Sequence, residues 1–214
     1  MKTLIYSVLF ALIIIPASAQ NNSQAKALLD KVSQNYKNKN SFYLKFNSEL
    51  VNTQANTKDA YEGEVYVKKN KYNLTVPKMD IKQIYDGTKL YTISKEQQEV
   101  TVTKPAPNSD ELFTPTRVFE MYKKGFNLSM DKTDRVNGRN VQYIKLTPTT
   151  ASDLQYVLVG IDKSTNELVQ LIETNANNTK TTVTIQKQLN NIIVPSGIIS
   201  FNKKNFKGYY ISEI

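Results

Sequence analysis

Residues 41–50 read Ser-Phe-Tyr-Leu-Lys-Phe-Asn-Ser-Glu-Leu, and this stretch decides the fold class. Phe42, Leu44 and Phe46 occupy alternate positions, with polar or amphipathic side chains between them. A hydrophobic period of two predicts a β-strand with one buried face, because successive side chains of a strand point to opposite sides. We therefore expect these three residues to face a core.

The same alternation recurs along the chain and predicts a sheet built from hairpins. Residues 61–67 and 72–76 repeat the period of two before Pro77 ends it. Asp86-Gly87 and Asn137-Gly138 are dipeptides typical of tight hairpin turns. Such signals predict roughly nine to eleven strands in hairpin order, and so a mainly β (α+β) fold with an antiparallel sheet.

Two short helices complete the prediction. Apolar residues recur at helical spacing from about Ser23, a fair N-cap, to Asn38. Thr114-Pro115 is typical of the N-cap and first residue of a second helix, which ends before Gly125. Two such helices cannot cover the apolar face of so large a sheet. The uncovered face must close as a barrel, dimerise or hold an apolar ligand.

The N-terminal residues predict export from the cytoplasm. Lys2 is followed by an apolar run from Leu4 to Ile15, and Ala17-Ser18-Ala19 supplies the small residues of a cleavage site. We expect a cleavable signal peptide over residues 1–19 and a single domain over residues 20–214. The apolar run is shorter than the ~20 residues that a membrane-spanning helix needs.

The composition argues against most catalytic chemistry. The chain has no histidine and no cysteine, which rules out imidazole- or thiolate-based catalysis and the usual zinc and copper sites. Glu62 and Glu64 alternate outward from the apolar face and are expected to be solvated. We therefore expect no catalytic residues, no metal and no cofactor, and interpret the protein as a non-enzyme.

The net charge of +9 fits an anionic partner, although lysines scattered for solubility explain it equally well. The export signal argues against nucleic acid as that partner. One lysine stands out, because the period of two from Val65 and Val67 would place Lys69 on the apolar face. The alternative is that the strand has already ended and Lys69 reaches solvent.

Several short stretches, in this order and spacing, give the chain a resemblance to a known family over nearly its whole predicted mature length. They are Leu28–Ser33, Ser41-Phe42 with Phe46, Gly63–Lys69, Tyr72 with Leu74, Asp86-Gly87 with Leu90-Tyr91, Tyr143–Pro148 and the closing Phe201 with Phe206–Gly208. The chain resembles the LolA family of outer-membrane lipoprotein carriers, in the version found in Bacteroidota-type bacteria.

The resemblance implies an incomplete antiparallel β-barrel, a half-barrel, with short helices as a lid over an apolar cavity. It implies that a set of apolar side chains lines the acyl-chain cavity: Leu29, Phe42, Leu44, Phe46, Val65, Val67, Tyr72, Leu74, Ile84 and Leu90. Lys69 matches an arginine that bonds lid carbonyls in the family, and Asn70 follows where proline is usual. Because lysine lacks the planar fork of arginine, we expect a weaker or different latch at the cavity mouth.

The resemblance also implies the function. A carrier of this family is a periplasmic monomer that takes acylated lipoproteins from an inner-membrane ABC transporter and, where one exists, passes them to an outer-membrane acceptor. Two alternatives stay open, a lipid-sensing regulator of the anti-sigma-factor-binding type and a related carrier of another lipid or glycolipid. Such regulators usually have a second C-terminal domain, whereas we expect a single domain here. This difference favours the carrier. A lipid-modifying enzyme is disfavoured by the missing histidine and cysteine.

Overall fold

The computed structural model of the protein describes residues 17–105 and 122–214. These residues form one α-helix, α1 (Ala17–Lys37), twelve β-strands and three short 3-10 helices. The strands are β1 (Ser41–Asn52), β2 (Thr57–Lys68), β3 (Lys71–Val76), β4 (Ile81–Tyr85), β5 (Leu90–Ser94), β6 (Glu99–Thr103), β7 (Phe126–Val136), β8 (Arg139–Pro148), β9 (Leu154–Asp162), β10 (Leu168–Asn175), β11 (Thr179–Asn190) and β12 (Tyr210–Glu213). The 3-10 helices are Pro77–Met79, Ser196–Ile198 and Lys203–Phe206.

All twelve strands belong to one open sheet, in the order β12-β6-β5-β4-β3-β2-β1-β11-β10-β9-β8-β7. The sheet does not close on itself, since β12 and β7 are its two edges. Its pairings are antiparallel apart from that of β12 with β6. The predicted mainly β, incomplete antiparallel barrel is therefore confirmed.

Tight turns join the hairpins where the sequence predicted them. Asn137 and Gly138 have φ angles of 49° and 78° between β7 and β8, which a type I′ turn requires. Gly87, between β4 and β5, has a φ of 97°. β3 ends at Val76, directly before Pro77. Local turn chemistry thus sets the register of these strands.

The two faces of the sheet bury different clusters. We call the face that bears Phe42, Leu44 and Phe46 the inner face, and α1 packs on this side. The outer face buries one cluster on β8 to β10, around Val141 and Tyr143. A second outer cluster lies on β4 to β6: Ile84, Ile93, Val100 and Val102. The sheet is therefore apolar on parts of both faces.

The C-terminal segment, residues 191–209, covers the second outer cluster. The ring of Phe201 stacks on Tyr91 of β5 with centroids 4.4 Å apart, and Phe206 stacks on Phe201 at 5.1 Å. The chain then forms β12, which pairs in parallel with β6. The paired residues are more than a hundred positions apart in the sequence. This twelfth strand was not predicted, because its four residues show no extended alternation.

The first predicted helix is present but begins earlier than expected. α1 begins at Ala17, six residues before the predicted N-cap Ser23, so that helix start was wrong. Residues 17–20 (Ala-Ser-Ala-Gln) include good helix formers, and the helix continues through them. Most of the second predicted helix, which begins at Thr114, lies outside the described ranges.

Candidate functional site

The inner face is a continuous apolar surface built by strand register. One row of opposed residues crosses β1 to β5 as Phe42, Val67, Tyr72, Tyr85 and Leu90. A second row crosses β1 to β3 and contains Leu44, Val65 and Leu74. Because the side-chain period of a strand is two, each pairing keeps these residues on the same side of the sheet.

Nine of the ten residues predicted to line a cavity lie together in the inner-face cluster. They are Leu29, Phe42, Leu44, Phe46, Val65, Val67, Tyr72, Leu74 and Leu90, each at most 7% exposed. The structure therefore brings these side chains onto one surface. That they contact an acyl chain remains a prediction.

The tenth residue, Ile84, was assigned to the wrong face. It pairs with Asn73 and Tyr91 and belongs to the outer cluster beneath the C-terminal segment. β4 carries apolar side chains on both faces, since Ile81 and Tyr85 pack on the inner side. The sequence pattern of β4 was therefore ambiguous. Ile84 is buried on the outer face because Phe201 and Phe206 pack against its cluster.

Of the two interpretations of Lys69, the structure agrees with the one in which the strand has already ended and the lysine reaches solvent. β2 ends at Lys68, and Lys69 lies in the following turn with a left-handed φ of 54°. Its side chain is exposed, and its backbone N–H donates to the carbonyl of Asn40 over 3.1 Å. The alternation fails here because the strand has ended. A latch role for Lys69 remains a prediction that the turn geometry does not itself support.

Phe46 lies over a glycine on the neighbouring strand. Its register partner in β2 is Gly63, and a Cβ built on Gly63 would lie 2.8 Å from Cε2 of the Phe46 ring. The same Cβ would lie 3.0 Å from Cγ2 of Val76. The absence of a side chain at Gly63 is therefore what leaves room for the Phe46 ring at this position of the inner face.

A rim of half-buried apolar residues borders the inner-face cluster, and the sequence analysis did not single it out as a site. Its members are Leu28, Tyr61, Ile81, Tyr85, Phe126, Met130, Leu154, Leu171 and Val183. Half-burial leaves part of each side chain accessible to solvent.

α1 crosses the inner face and presents Leu29, Val32 and Tyr36 to it. Its backbone lies close to the edge strand β7. At its C-terminal end the ring of Tyr36 packs edge-on against Phe42, with centroids 5.3 Å apart. The buried side chains of α1 therefore belong to the same apolar cluster as those of β1 to β3.

A polar network closes the inner face at the C-terminal end of α1. Lys39 Nζ lies 3.4 Å from Oε1 of Glu167, and both side chains are nearly buried. Gln188 and Asn190 donate to the same carboxylate over 2.8 and 2.9 Å, and Arg139 lies 3.4 Å from its other oxygen. The network gives the largely buried carboxylate several partners and ties the segment just after α1 to the residue that precedes β10.

Tyr36 links this network to the apolar cluster. Its hydroxyl donates to Gln188 over 2.7 Å and accepts the N–H of Leu168 over 3.3 Å. Burial, followed by the nearby Glu167 carboxylate, raises the pKa of Tyr36 above its usual range. The hydroxyl therefore keeps its proton and can donate to Gln188 at all ordinary pH values.

The lysines of several strands are confined to one face of the sheet. By register, the lysines of β1 to β4, β8 and β11 all lie on the outer face: Lys45, Lys58, Lys68, Lys71, Lys82, Lys145, Lys180 and Lys187. Lys145, for example, lies over the outer-face ring of Tyr156 at 4.4 Å. The inner face of these strands therefore carries no lysine, whereas the outer face is basic.

The described ranges contain no group of three or more acidic, histidine or cysteine side chains that could hold a metal ion. No helix within them is both long enough and apolar enough to cross a bilayer.

No family model matches the chain, and no curated protein is similar to it in sequence. Among solved structures, an uncharacterized conserved protein from Thermus thermophilus covers 89% of this chain and 99% of its own, with a TM-score of 0.61 at 8% identity. LprF from Mycobacterium bovis covers 84% of this chain and 97% of its own, with a TM-score of 0.49 at 10% identity. A LolA superfamily protein from Nitrosomonas europaea covers 83% and 97%, with a TM-score of 0.45 at 11% identity. The match to the Thermus thermophilus protein shows that the two chains share a fold over almost their whole lengths.

Proposed function

We propose that the protein is a periplasmic carrier that binds the acyl chains of lipoproteins on its inner face and shuttles them from the inner to the outer membrane. The observation that carries this proposal is the continuous apolar surface that strand register builds across β1 to β5. The sequence resemblance to the LolA carriers supports the same function.

The energetics explain why a carrier needs such a surface. Burial of a 16-carbon acyl chain is worth about 0.8 kcal/mol per CH₂, so one chain is held in a membrane by roughly 12 kcal/mol. Release into water is negligible at that cost. A protein that takes up the chain must therefore offer apolar area of comparable size, which a single broad sheet face provides.

The burial of the inner-face cluster bears on how a ligand would bind. Leu44, Val65 and Leu74 are at most 7% exposed, so the face is closed in this structure. An acyl chain reaches them only after the residues that cover them move. The half-buried rim, including Leu171 and Val183, is accessible without such movement. Binding should therefore begin at the rim and proceed inward.

Site-specific photocrosslinking tests the proposal. A benzophenone amino acid at Leu171 on the rim should crosslink to the acyl chains of co-expressed lipoproteins. The same amino acid at Tyr156, half-buried on the outer face, is the matched control and should give no such product. Equal crosslinking at both positions, or none at either, would contradict acyl binding on the inner face.

The shuttling role needs a second measurement. Depletion of the protein in its native cell should leave lipoproteins in the inner membrane, and the Leu171 crosslink should carry lipoprotein rather than free lipid. If lipoproteins reach the outer membrane normally while the crosslink carries a glycolipid, the protein carries that other lipid instead.

A further inference from the structure

Ile193 is the most exposed large apolar residue of the described ranges, at 96%. It lies just after β11, where the chain turns towards the outer face. Its neighbours on both sides are anchored, because the carbonyl of Ile192 accepts a 2.6 Å hydrogen bond from the buried Ser41 hydroxyl and the Val194 side chain is buried. The isoleucine is therefore held outward on a fixed stretch of backbone.

Three further apolar or aromatic residues lie on the outer face at the end of the sheet from which the Ile193 loop leaves. Leu189, 42% exposed, lies on the outer face of β11 and pairs with Tyr43 of β1. Tyr43 in turn pairs with Tyr66 of β2, and their half-buried rings lie 4.7 Å apart. We call these four residues, Ile193, Leu189, Tyr43 and Tyr66, the Ile193 patch.

Lysines surround the Ile193 patch. Lys187 lies on the same face as Leu189, and Lys68 pairs with Ser41, whose carbonyl accepts the N–H of Asn191 over 2.7 Å. Lys69 follows Lys68 in the turn. All three are exposed, and none forms an ion pair with another described residue.

Carboxylates around the patch are already engaged. Glu64 accepts a 3.0 Å hydrogen bond from the Tyr43 hydroxyl, and Glu62 pairs with Lys45 over 3.1 Å. Glu64 keeps its negative charge, since the tyrosine that donates to it is neutral. The three unpaired lysines outnumber this one carboxylate, so the surroundings of the patch are net positive.

We propose that the Ile193 patch docks the protein onto an anionic membrane surface. An exposed isoleucine on a fixed loop can enter the boundary between headgroups and acyl chains, where tyrosine rings are also favoured. The lysines would face anionic headgroups, which attract each basic side chain near the surface. A stable protein interface instead needs a broad patch of about 800 Å² per partner with an apolar centre, whereas a bilayer accommodates one protruding side chain.

Vesicle co-sedimentation tests this docking. Wild-type protein should bind vesicles of phosphatidylcholine mixed with phosphatidylglycerol and should not bind phosphatidylcholine alone, and added salt should weaken binding. Ile193→Ser should lower the partition coefficient about tenfold, as expected for one lost aliphatic side chain. Met79→Ser, at an exposed residue beyond the other end of β3, is the matched control and should bind as wild type.

A triple variant separates the lysines from overall charge. Replacing Lys68, Lys69 and Lys187 by alanine should abolish binding, whereas the same change at exposed Lys95, Lys180 and Lys204 keeps the net charge equal and should largely preserve it. Equal losses in the two triple variants, or no vesicle binding by wild type, would overturn the proposal. If wild-type protein does not bind vesicles but binds a polyglutamate peptide through Lys68, Lys69 and Lys187, the proposal is overturned in favour of an acidic protein partner.

Discussion

The hydroxyl of Tyr36 in α1 donates a 2.7 Å hydrogen bond to Oε1 of Gln188 in β11, 152 residues further along the chain. The amide group of Gln188 then donates to Glu167 over 2.8 Å. This contact joins the helix, the middle of the sheet and the turn after β9 in one buried network. It fixes where α1 lies on the inner face.

Replacing Tyr36 by phenylalanine should lower the free energy of unfolding by about 1–3 kcal/mol. The variant keeps the packing against Phe42 but leaves the oxygen of Gln188 and the N–H of Leu168 without the hydroxyl that serves both. Urea denaturation followed by circular dichroism measures the change. Tyr66→Phe, at a half-buried outer-face residue, is the control and should stay within about 0.5 kcal/mol of wild type. Equal stability of both variants would show that the network does not hold α1.

Asp162 gives the protein a predictable response to acid. Burial alone would raise the pKa of this carboxyl group, but the N–H and hydroxyl of Ser164 donate to it and Arg139 lies 3.2 Å from its other oxygen. The net effect is a pKa below the usual value. A carboxylate with a lowered folded pKa stabilises the fold above its unfolded pKa of about 3.9, and this stability is lost as the pH falls through the folded pKa.

Asp162→Asn should therefore reduce the free energy of unfolding at pH 7 by about 1–3 kcal/mol, and its difference from wild type should shrink as the pH falls below about 4. Urea titrations at a series of pH values measure the difference. Asp153→Asn, at an exposed position, should follow wild type throughout. If the lower free energy of unfolding of Asp162→Asn stays constant down to pH 2, the charge of Asp162 does not contribute to stability.

The strands and turns could be predicted from the sequence because their signals are local. Alternation in residues 41–50 marks a strand wherever one face is buried, and Asn137-Gly138 marks a turn because both positions need positive φ. The grouping of nine cavity residues on one face follows from the same alternation, once adjacent strands are in register.

Long-range contact accounts for what the sequence could not predict about Ile84 and about the buried polar network. The face of Ile84 depends on cover from Phe201 and Phe206, more than a hundred residues away. The network of Tyr36, Gln188 and Glu167 joins distant positions and leaves no local pattern. For Lys69 the signal was local but incomplete, because a period of two does not mark the residue at which a strand ends.

Gly160 should not tolerate even a methyl group. A Cβ at this position in β9 would lie 2.9 Å from both Cε1 of Tyr143 and Cγ1 of Val141, and 3.2 Å from the carbonyl oxygen of Gln170. Gly160→Ala should destabilise the protein by about 1–3 kcal/mol through overpacking of the outer cluster. Gly197→Ala, where no atom lies within 4 Å of the new Cβ, should be neutral or slightly stabilising in the same urea titration. A neutral Gly160→Ala would mean that the outer cluster on β8 to β10 can relax.

Gly63→Ala applies a similar steric change to the inner face and so connects packing with the proposed function. The new methyl group would overlap the Phe46 ring, which must swing away from β2 because Val76 lies on the other side of the methyl group. The displaced ring would occupy space that an acyl chain needs, so we expect roughly threefold to tenfold weaker binding of a fluorescent fatty-acid probe to purified protein. Gly160→Ala is the control, because it strains the outer face and should leave probe affinity unchanged at temperatures where the protein is folded. If the outer-face variant weakens binding as much as Gly63→Ala, the loss comes from general destabilisation, and the ring of Phe46 does not border the binding surface.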